Sequence, residues 1–498
     1  MAYRRRAGVL LHPTSLPGPG GIGSLGVDLE RFLQFLSLAG FSLWQILPLT
    51  PPAAGNSPYS AYSAFAGNPL LIDLPSLADE GDLSVFPPSE PFSAARVDFP
   101  AVTRHTEQLL RRAAEGFFAH GHSSHWEEFW HFCDTTSWLH DYALFQALKR
   151  HYDGIPWVRW PRELALRESD ACARASEALG PEIGNQKYQQ WQFQRQWQRV
   201  RRHAASHGVA IIGDLPIFVA FDSADVWCNR RLFLLDPSGR PTVVAGVPPD
   251  YFSSTGQLWG NPLYDWEAMA QDGYAWWIAR IRHQLEQFDL VRIDHFRGFE
   301  ASWQVPVSAA TAAQGSWVSG PGAPFLQAVQ AACGRLPFIA EDLGVITPQV
   351  EALRDQFALP GMKVLQFAFD SNADNPYLPH NHIPDSVVYT GTHDNDTACG
   401  WAATLSPEVR SAAVAYLGTD GTCLADDLIR TALMSVAATA ILPMQDLLGL
   451  SSDARMNLPG TAMGNWGWRM QSGLLTTERA DGLRVLLQRY GRCDGGGR

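Results

Sequence analysis

The chain has little with which to cross-link itself. Its seven cysteines (Cys133, Cys172, Cys228, Cys333, Cys399, Cys423 and Cys493) are odd in number, scattered through 498 residues, and include no Cys-x-x-Cys pair. Neither a disulfide framework nor a structural zinc site is expected, and a reduced, cytoplasmic protein is. Positive charge is also short. Lys and Arg total 38 against 50 Asp and Glu, a net charge of −12, so nothing would draw in a nucleic-acid backbone or an anionic membrane. Long hydrophobic runs are missing too: the basic start, Met1 to Arg6, is followed by only a few apolar residues before His12 and Pro13. No signal peptide and no membrane span are expected. There is no repeat of solenoid period and no phosphate-binding Gly-x-x-x-x-Gly-Lys-[Ser/Thr] loop, and low complexity is confined to Gly495–Arg498.

What is present suits a globular enzyme. The chain is 46% hydrophobic and 18% charged, enough for a large buried core. At about 150 residues per domain the length alone would give three domains, but barrels with insertions exceed that figure as one unit. Aromatics are plentiful, with 18 Trp, 25 Phe and 13 Tyr. Most belong in a core, yet they also offer the flat faces that a sugar-binding cleft uses.

Eight short apolar runs end in polar residues: 8–12, 42–48, 209–214, 290–294, 338–342, 363–369, 387–393 and 440–446. Runs this short and continuous suit strands buried on both faces of a parallel sheet. Helical patterns fall between them, at 27–36, 276–288, 424–438 and from Thr347, where Thr precedes Pro as a cap precedes a first helical residue. Eight strands alternating with helices predict an α/β fold, a (β/α)8 TIM barrel, spanning 1–498 as a single catalytic unit. Two connections are too long for simple crossovers. Residues 51–205 read as an inserted, mainly helical subdomain after strand two, and 216–275 as an inserted active-site loop region after strand three. The Trp-rich blocks 126–138 and 191–197 lie in amphipathic stretches and read as helix packing rather than as sugar platforms.

The active site of such a barrel lies at the carboxyl ends of its strands. Those ends carry His12, Asp214, Arg292, Asp294, Glu341, Asp342, His393, Asp394, Gln445 and Asp446. Any one Asp could simply cap the next helix, but carboxylates from five strands converge on one mouth. Glycoside chemistry needs two carboxyl groups across the scissile bond, roughly 5–5.5 Å apart in a retaining enzyme. Arg292 shares a strand face with Asp294 and would hold it ionised, as a nucleophile requires. A proton donor needs apolar surroundings or a like-charged neighbour, and Glu341 follows Phe338-Ile-Ala. Asp342 points to the other face and reads as a structural acceptor.

The wording of these segments resembles glycoside hydrolase family 77, the 4-α-glucanotransferases called amylomaltase or disproportionating enzyme. The resemblance rests on Val291–Phe299 (VRIDHFRGF), Ala340–Gly344 (AEDLG), Gly391–Asn395 (GTHDN), Asn56–Asp73, Gly213–Ala220, Ala245–Ser253, Gly256–Pro262, Pro360–Phe367 and Asp453–Thr461, and so covers nearly the whole chain. It implies Asp294 as nucleophile, Glu341 as general acid/base and Asp394 as transition-state stabiliser. It further implies that Arg292, His295 and His393 complete the substrate-binding site at the point of cleavage, with Asp214 and Tyr59 nearby. Tyr251 and Phe252 would lie over the acceptor side, with Gln257, Trp259 and Asn465 as further substrate contacts. The implied partners are maltooligosaccharides and α-1,4-glucans, without cofactor or metal. One departure is visible: Ala313–Gly320 (AQGSWVSG) lacks the basic residues of the family's Lys-Gly-Arg-Trp-Val-Lys-Gly.

Rival classes have their own signals. Gly18–Gly23 and Gly21–Gly26 both match Gly-x-Gly-x-x-Gly between a strand and a helix, as in a dinucleotide-binding oxidoreductase. The second strand, however, ends without an acid to hold a ribose. The closely spaced His120, His122 and His125, and His380 and His382, have no matching cluster for a metal. A non-catalytic glucan-binding protein would not need Asp294, Glu341 and Asp394 intact. The nearest alternative by chemistry is an α-glucan hydrolase of the α-amylase type. Chain-length preference, cyclic products and oligomeric state have no signature in the sequence.

Overall fold

The computed structural model describes residues 4–86, 92–119, 125–249, 254–461 and 463–493. Val9, Ile212, Val291, Ile339, Val364, Val388 and Ile441 are almost fully buried. These β-branched side chains favour a pleated backbone, and burial on both faces is what a parallel sheet covered by helices demands. Their segments, joined by the equally buried Leu43-Trp44-Gln45, form β1 (Arg6–Leu10), β2 (Leu43–Gln45), β3 (Ala210–Pro216), β4 (Leu290–Asp294), β5 (Phe338–Ala340), β6 (Gly361–Val364), β7 (Ser386–Tyr389) and β8 (Thr439–Pro443). All pairings are parallel, and the barrel closes in the order β1-β8-β7-β6-β5-β4-β3-β2. Each predicted strand is present. The largest offset is at β6, which ends at Val364 and passes into a 3-10 turn at Leu365–Phe367 rather than continuing to 369.

Helices Val27–Ala39, Ala275–Gln287, Pro348–Gln356 and Leu424–Met434 occupy the predicted positions outside the barrel. The first stops at Gly40, whose left-handed backbone (φ 86°) suits glycine. Thr347 occupies the cap position of the third, but its hydroxyl makes no capping bond.

Between β2 and β3 the chain forms a run of helices, including Phe99–Ala119, Trp126–Thr135, Leu139–His151 and Gly180–Ser206. Trp191 and Trp197 on the last are buried, and Trp191 packs at 5.1 Å from Phe117, so this block is helix packing. Two glutamines of the same helix pair with backbone as a neighbouring strand would. Gln190 accepts from Gly67 N (2.7 Å) and donates to Gly67 O (2.9 Å). Gln196 does the same with Asp73 (2.7 and 3.2 Å). They pin the segment that follows Tyr59 to the barrel flank. Buried Lys149 ties the same region to the segment after β3 through Asp222, at 2.6 Å.

A second sheet escaped the sequence reading. Strands Gln257–Pro262, Val243–Val247, Ala301–Pro306 and Ser316–Ser319 pair antiparallel in that order. The segment after β3 therefore folds with the segment after β4. Among the described residues, no helix is long and apolar enough to cross a membrane.

Candidate active site

Strand register assembles the site. Asp214 on β3 is the ladder partner of Arg292 on β4, and Arg292 Nη1 lies 2.8 Å from both carboxylate oxygens of Asp214. The same nitrogen is 2.9 Å from Oδ1 of Asp294, two residues along on the same strand face. Ile293 pairs with Ala340 of β5, which sets Asp294 and Glu341 side by side one step beyond the ladder, on strands about 4.8 Å apart. Glu341 N donates to Ile293 O at 3.0 Å.

After Asp294 the backbone turns sharply. His295 adopts a left-handed conformation (φ 55°), sparsely populated by non-glycine residues. Its amide donates to Glu341 Oε2 at 2.6 Å, while Leu343 N donates to Oε1 at 3.1 Å. Asp342, the next residue, faces away: it accepts from Met362 N at 2.7 Å and pairs with Arg354, the structural role read from the sequence.

Asp394 follows β7. Its Oδ2 lies 3.3 Å from His393 Nε2, and its Oδ1 accepts from Asn457 Nδ2 at 2.6 Å. Tyr59 links the two halves of the mouth. Its hydroxyl donates to Asp214 Oδ2 at 2.7 Å and approaches His393 Nδ1 at 3.4 Å, and its ring stacks on His393 at 4.9 Å. Trp466 packs on both rings at 5.9 Å.

Burial governs the electrostatics. It raises the Asp294 carboxyl to about 6, and Asp214 adds to the rise while Arg292 pulls the other way. Arg292 therefore favours the ionised form, as expected, without fully offsetting desolvation. Burial raises Glu341 further, to about 7, with Asp294 adding like-charge repulsion against the pull of Arg292 and two backbone N–H donors. For Asp394 burial also pushes upward, but His393, Asn457 and Arg292 outweigh it and hold the carboxyl well below the ordinary range. His295 is driven down to about 3 by burial, with Arg297 adding repulsion, so it is neutral. Among the described residues its Nε2 has no hydrogen-bond partner. The mouth thus holds an ionised Asp394, a cation locked between Asp214 and Asp294, and two carboxyls on adjacent strands that titrate near neutrality.

The remaining predicted residues lie around this centre. Trp259, 39% exposed on the small sheet, meets His295 edge-on at 4.8 Å and donates to Gln257 Oε1 at 3.2 Å. Asn465 uses its amide within its own loop, accepting from Leu458 N at 3.0 Å and donating to Thr461. Tyr251 and Phe252, like His120 and His122, lie outside the described residues. In the Ala313–Gly320 segment, Trp317 stacks under the Arg297 guanidinium at 3.7 Å. Three site residues were not singled out from the sequence: Asn457, Arg455 and Trp466. Arg455 and Asn457 stand in the quoted Asp453–Thr461 block, and their only signal was polar side chains just before a Leu-Pro-Gly turn.

Comparison with known proteins bears directly on this arrangement. A family profile described as 4-alpha-glucanotransferase matches residues 11–476. The chain belongs to the 4-alpha-glucanotransferase family. It is 49% identical over 497 residues to a 4-alpha-glucanotransferase of Thermus thermophilus, covering 98% of this chain and 99% of that one. It is 50% identical over 503 residues to one from Synechocystis sp., covering 99% of each. Among solved structures, an amylomaltase from Streptococcus agalactiae in complex with acarbose superposes with a TM-score of 0.95 at 36% identity, over 99% of this chain and 100% of that one. The 4-alpha-glucanotransferase class makes this chain a transglycosylating enzyme, and the hydrolase alternative is not favoured.

Proposed function

We propose that this 4-alpha-glucanotransferase moves segments of maltooligosaccharides and α-1,4-glucans to the 4-hydroxyl of an acceptor glucan or glucose by a retaining double displacement. Asp294 is the nucleophile, Glu341 the general acid/base and Asp394 the transition-state stabiliser. The observation that carries the reading is the pair Asp294 and Glu341 on adjacent strand ends, one beside a fixed cation and the other raised to about 7. With Oδ1 of Asp294 on Arg292, Oδ2 is left to attack the anomeric carbon. The C1–O4 bond breaks as Glu341 passes its proton to the departing oxygen, and a glycosyl ester remains. Glu341, now ionised, takes the proton of the acceptor 4-hydroxyl, whose oxygen displaces Asp294. Two inversions leave the α-configuration. Asp394, held ionised, hydrogen-bonds ring hydroxyls most strongly as positive charge builds on the sugar.

Tyr59, Asp214, Arg292, His295 and His393 serve the sugar at the cleavage point, and acarbose, with which the Streptococcus agalactiae amylomaltase forms a complex, is expected to bind there. Tyr251 and Phe252 serve the acceptor side with Gln257 and Trp259 beyond them, where apolar faces exclude water and favour transfer, and Asn465 contributes from the C-terminal segment. Residues 51–205 act as a helical subdomain and 216–275 as the acceptor-side wall of one catalytic unit, and the enzyme works in the cytoplasm on soluble glucans.

The test is incubation with maltotriose while product lengths and reducing ends are followed together. Transfer yields glucose and longer chains at a constant reducing-end count. A steady stoichiometric rise in reducing ends would reject the proposal.

A further inference from the structure

We propose that Asn457 is a positioning residue for Asp394: it fixes the carboxylate in the orientation in which the reacting sugar meets it, and Arg455 fixes Asn457. The inference rests on the reading of Asp394 as transition-state stabiliser. The Asp394 side chain is 47% exposed against 29% for Asp294, while Glu341 is anchored by two backbone amides. An aspartate so exposed has free side-chain torsions unless something holds it, and stabilisation of developing charge requires that it be held beforehand.

The restraint is a closed set of contacts between two short segments. Asn457 Nδ2 donates to Asp394 Oδ1 at 2.6 Å. Arg455 Nη2 donates to the Asp394 carbonyl at 2.6 Å, and Arg455 Nε donates to the Asn457 carbonyl at 2.7 Å. Asn457 N donates to the His393 carbonyl at 3.1 Å, and His393 returns to Asp394 Oδ2 at 3.3 Å. Upstream on the same strap, Ser452 Oγ donates to Asp396 Oδ2 at 2.7 Å. Downstream, Trp466 N donates to Met456 O at 2.7 Å and carries its ring onto Tyr59 and His393. The strap thus grips the Asp394 turn at both carboxylate and backbone. The donation to Oδ1 fixes that oxygen and leaves the other lone pairs for sugar hydroxyls. It also favours the ionised form, which agrees with the lowered carboxyl value.

A double-substitution cycle separates positioning from general loosening. The four proteins are the parent, Asp394→Ala, Asn457→Ala and the double variant. The readouts are acarbose affinity by calorimetry, and kcat and KM on maltotriose. In the parent background Asn457→Ala is expected to weaken acarbose roughly 10- to 100-fold, the worth of one hydrogen bond to a charged group. It lowers kcat similarly while KM stays within about threefold. In the Asp394→Ala background the same substitution changes acarbose affinity by less than about twofold, because the group it acts through is gone. Equal losses in both backgrounds, or no loss in the parent, would overturn the positioning role and leave Asp394's role standing. If Asp394→Ala alone left acarbose affinity untouched, the stabiliser reading itself would fail. Arg455→Met keeps Asn457 but frees it; it carries the same cycle with the same outcomes should Asn457→Ala not fold.

Discussion

Nη1 of Arg292 lies 2.9 Å from Oδ1 of Asp294, and the same nitrogen is 2.8 Å from both oxygens of Asp214. One buried guanidinium thus serves two carboxylates. Burial opposes its charge, but Asp214, Asp294, Tyr59 and Glu341 together drive its pKa well above the ordinary value, so it stays a cation. Lysine would keep the charge and lose the rigid fork. Arg292→Lys is expected to lower kcat/KM roughly 10- to 100-fold. Because Arg292 lowers the Asp294 carboxyl, a weaker contact lets it rise, so the acid limb of the pH–rate profile moves to higher pH. An unmoved acid limb would count against Arg292 as the group that keeps Asp294 ionised.

The two central carboxyls set the working pH. Activity requires Asp294 ionised, so kcat/KM should climb as pH rises through about 6. It requires Glu341 protonated in the first step, so kcat/KM should fall as pH rises through about 7. The profile is a narrow bell. Glu341→Gln, assayed on α-glucosyl fluoride, whose leaving group needs no proton, should lose the basic limb and keep the acid limb. A basic limb that survives this substitution assigns the proton donor elsewhere.

The barrel was legible because both its faces are covered. Strands such as Val388 on β7 and Ile441 on β8 have no solvent face, so they appear as unbroken apolar runs. The acids were legible because each follows such a run. The second sheet was not, because its strands have mixed surroundings: Leu258 and Trp259 are exposed while Ala245 and Val305 are buried, so neither a continuous run nor a clean alternation survives. Asn457 was hidden for another reason. Its role depends on a contact across 63 residues to Asp394, and no local pattern encodes the meeting of two loops.

Trp259 offers a test of the acceptor side. It is 39% exposed and its ring meets neutral His295 at 4.8 Å. Trp259→Ala should leave folding stability within about 0.5 kcal/mol, raise KM for acceptor glucose, and shift product partition from transfer towards hydrolysis as water enters. An unchanged partition in the reducing-end assay would remove Trp259 from acceptor binding.

Gln190 tests the scaffold behind Tyr59. Its amide makes both a donor and an acceptor bond with buried Gly67, and Gln190→Leu strands both backbone groups. The expected cost is about 1–3 kcal/mol per stranded group, read as a lower midpoint of urea unfolding, with lower kcat as the segment bearing Tyr59 loosens. An unshifted midpoint would show that the glutamine pairing does not hold that segment.

Double displacement requires a covalent bond between Asp294 and the transferred sugar. It is tested most directly by mass spectrometry of Glu341→Gln quenched in acid during turnover of α-glucosyl fluoride, where the glycosyl ester forms without its proton donor and decays slowly. The expected result is a single hexose increment on the peptide containing Asp294, absent when Asp294→Asn is added. A hexose on any other residue, or turnover that persists in Asp294→Asn, would contradict the account.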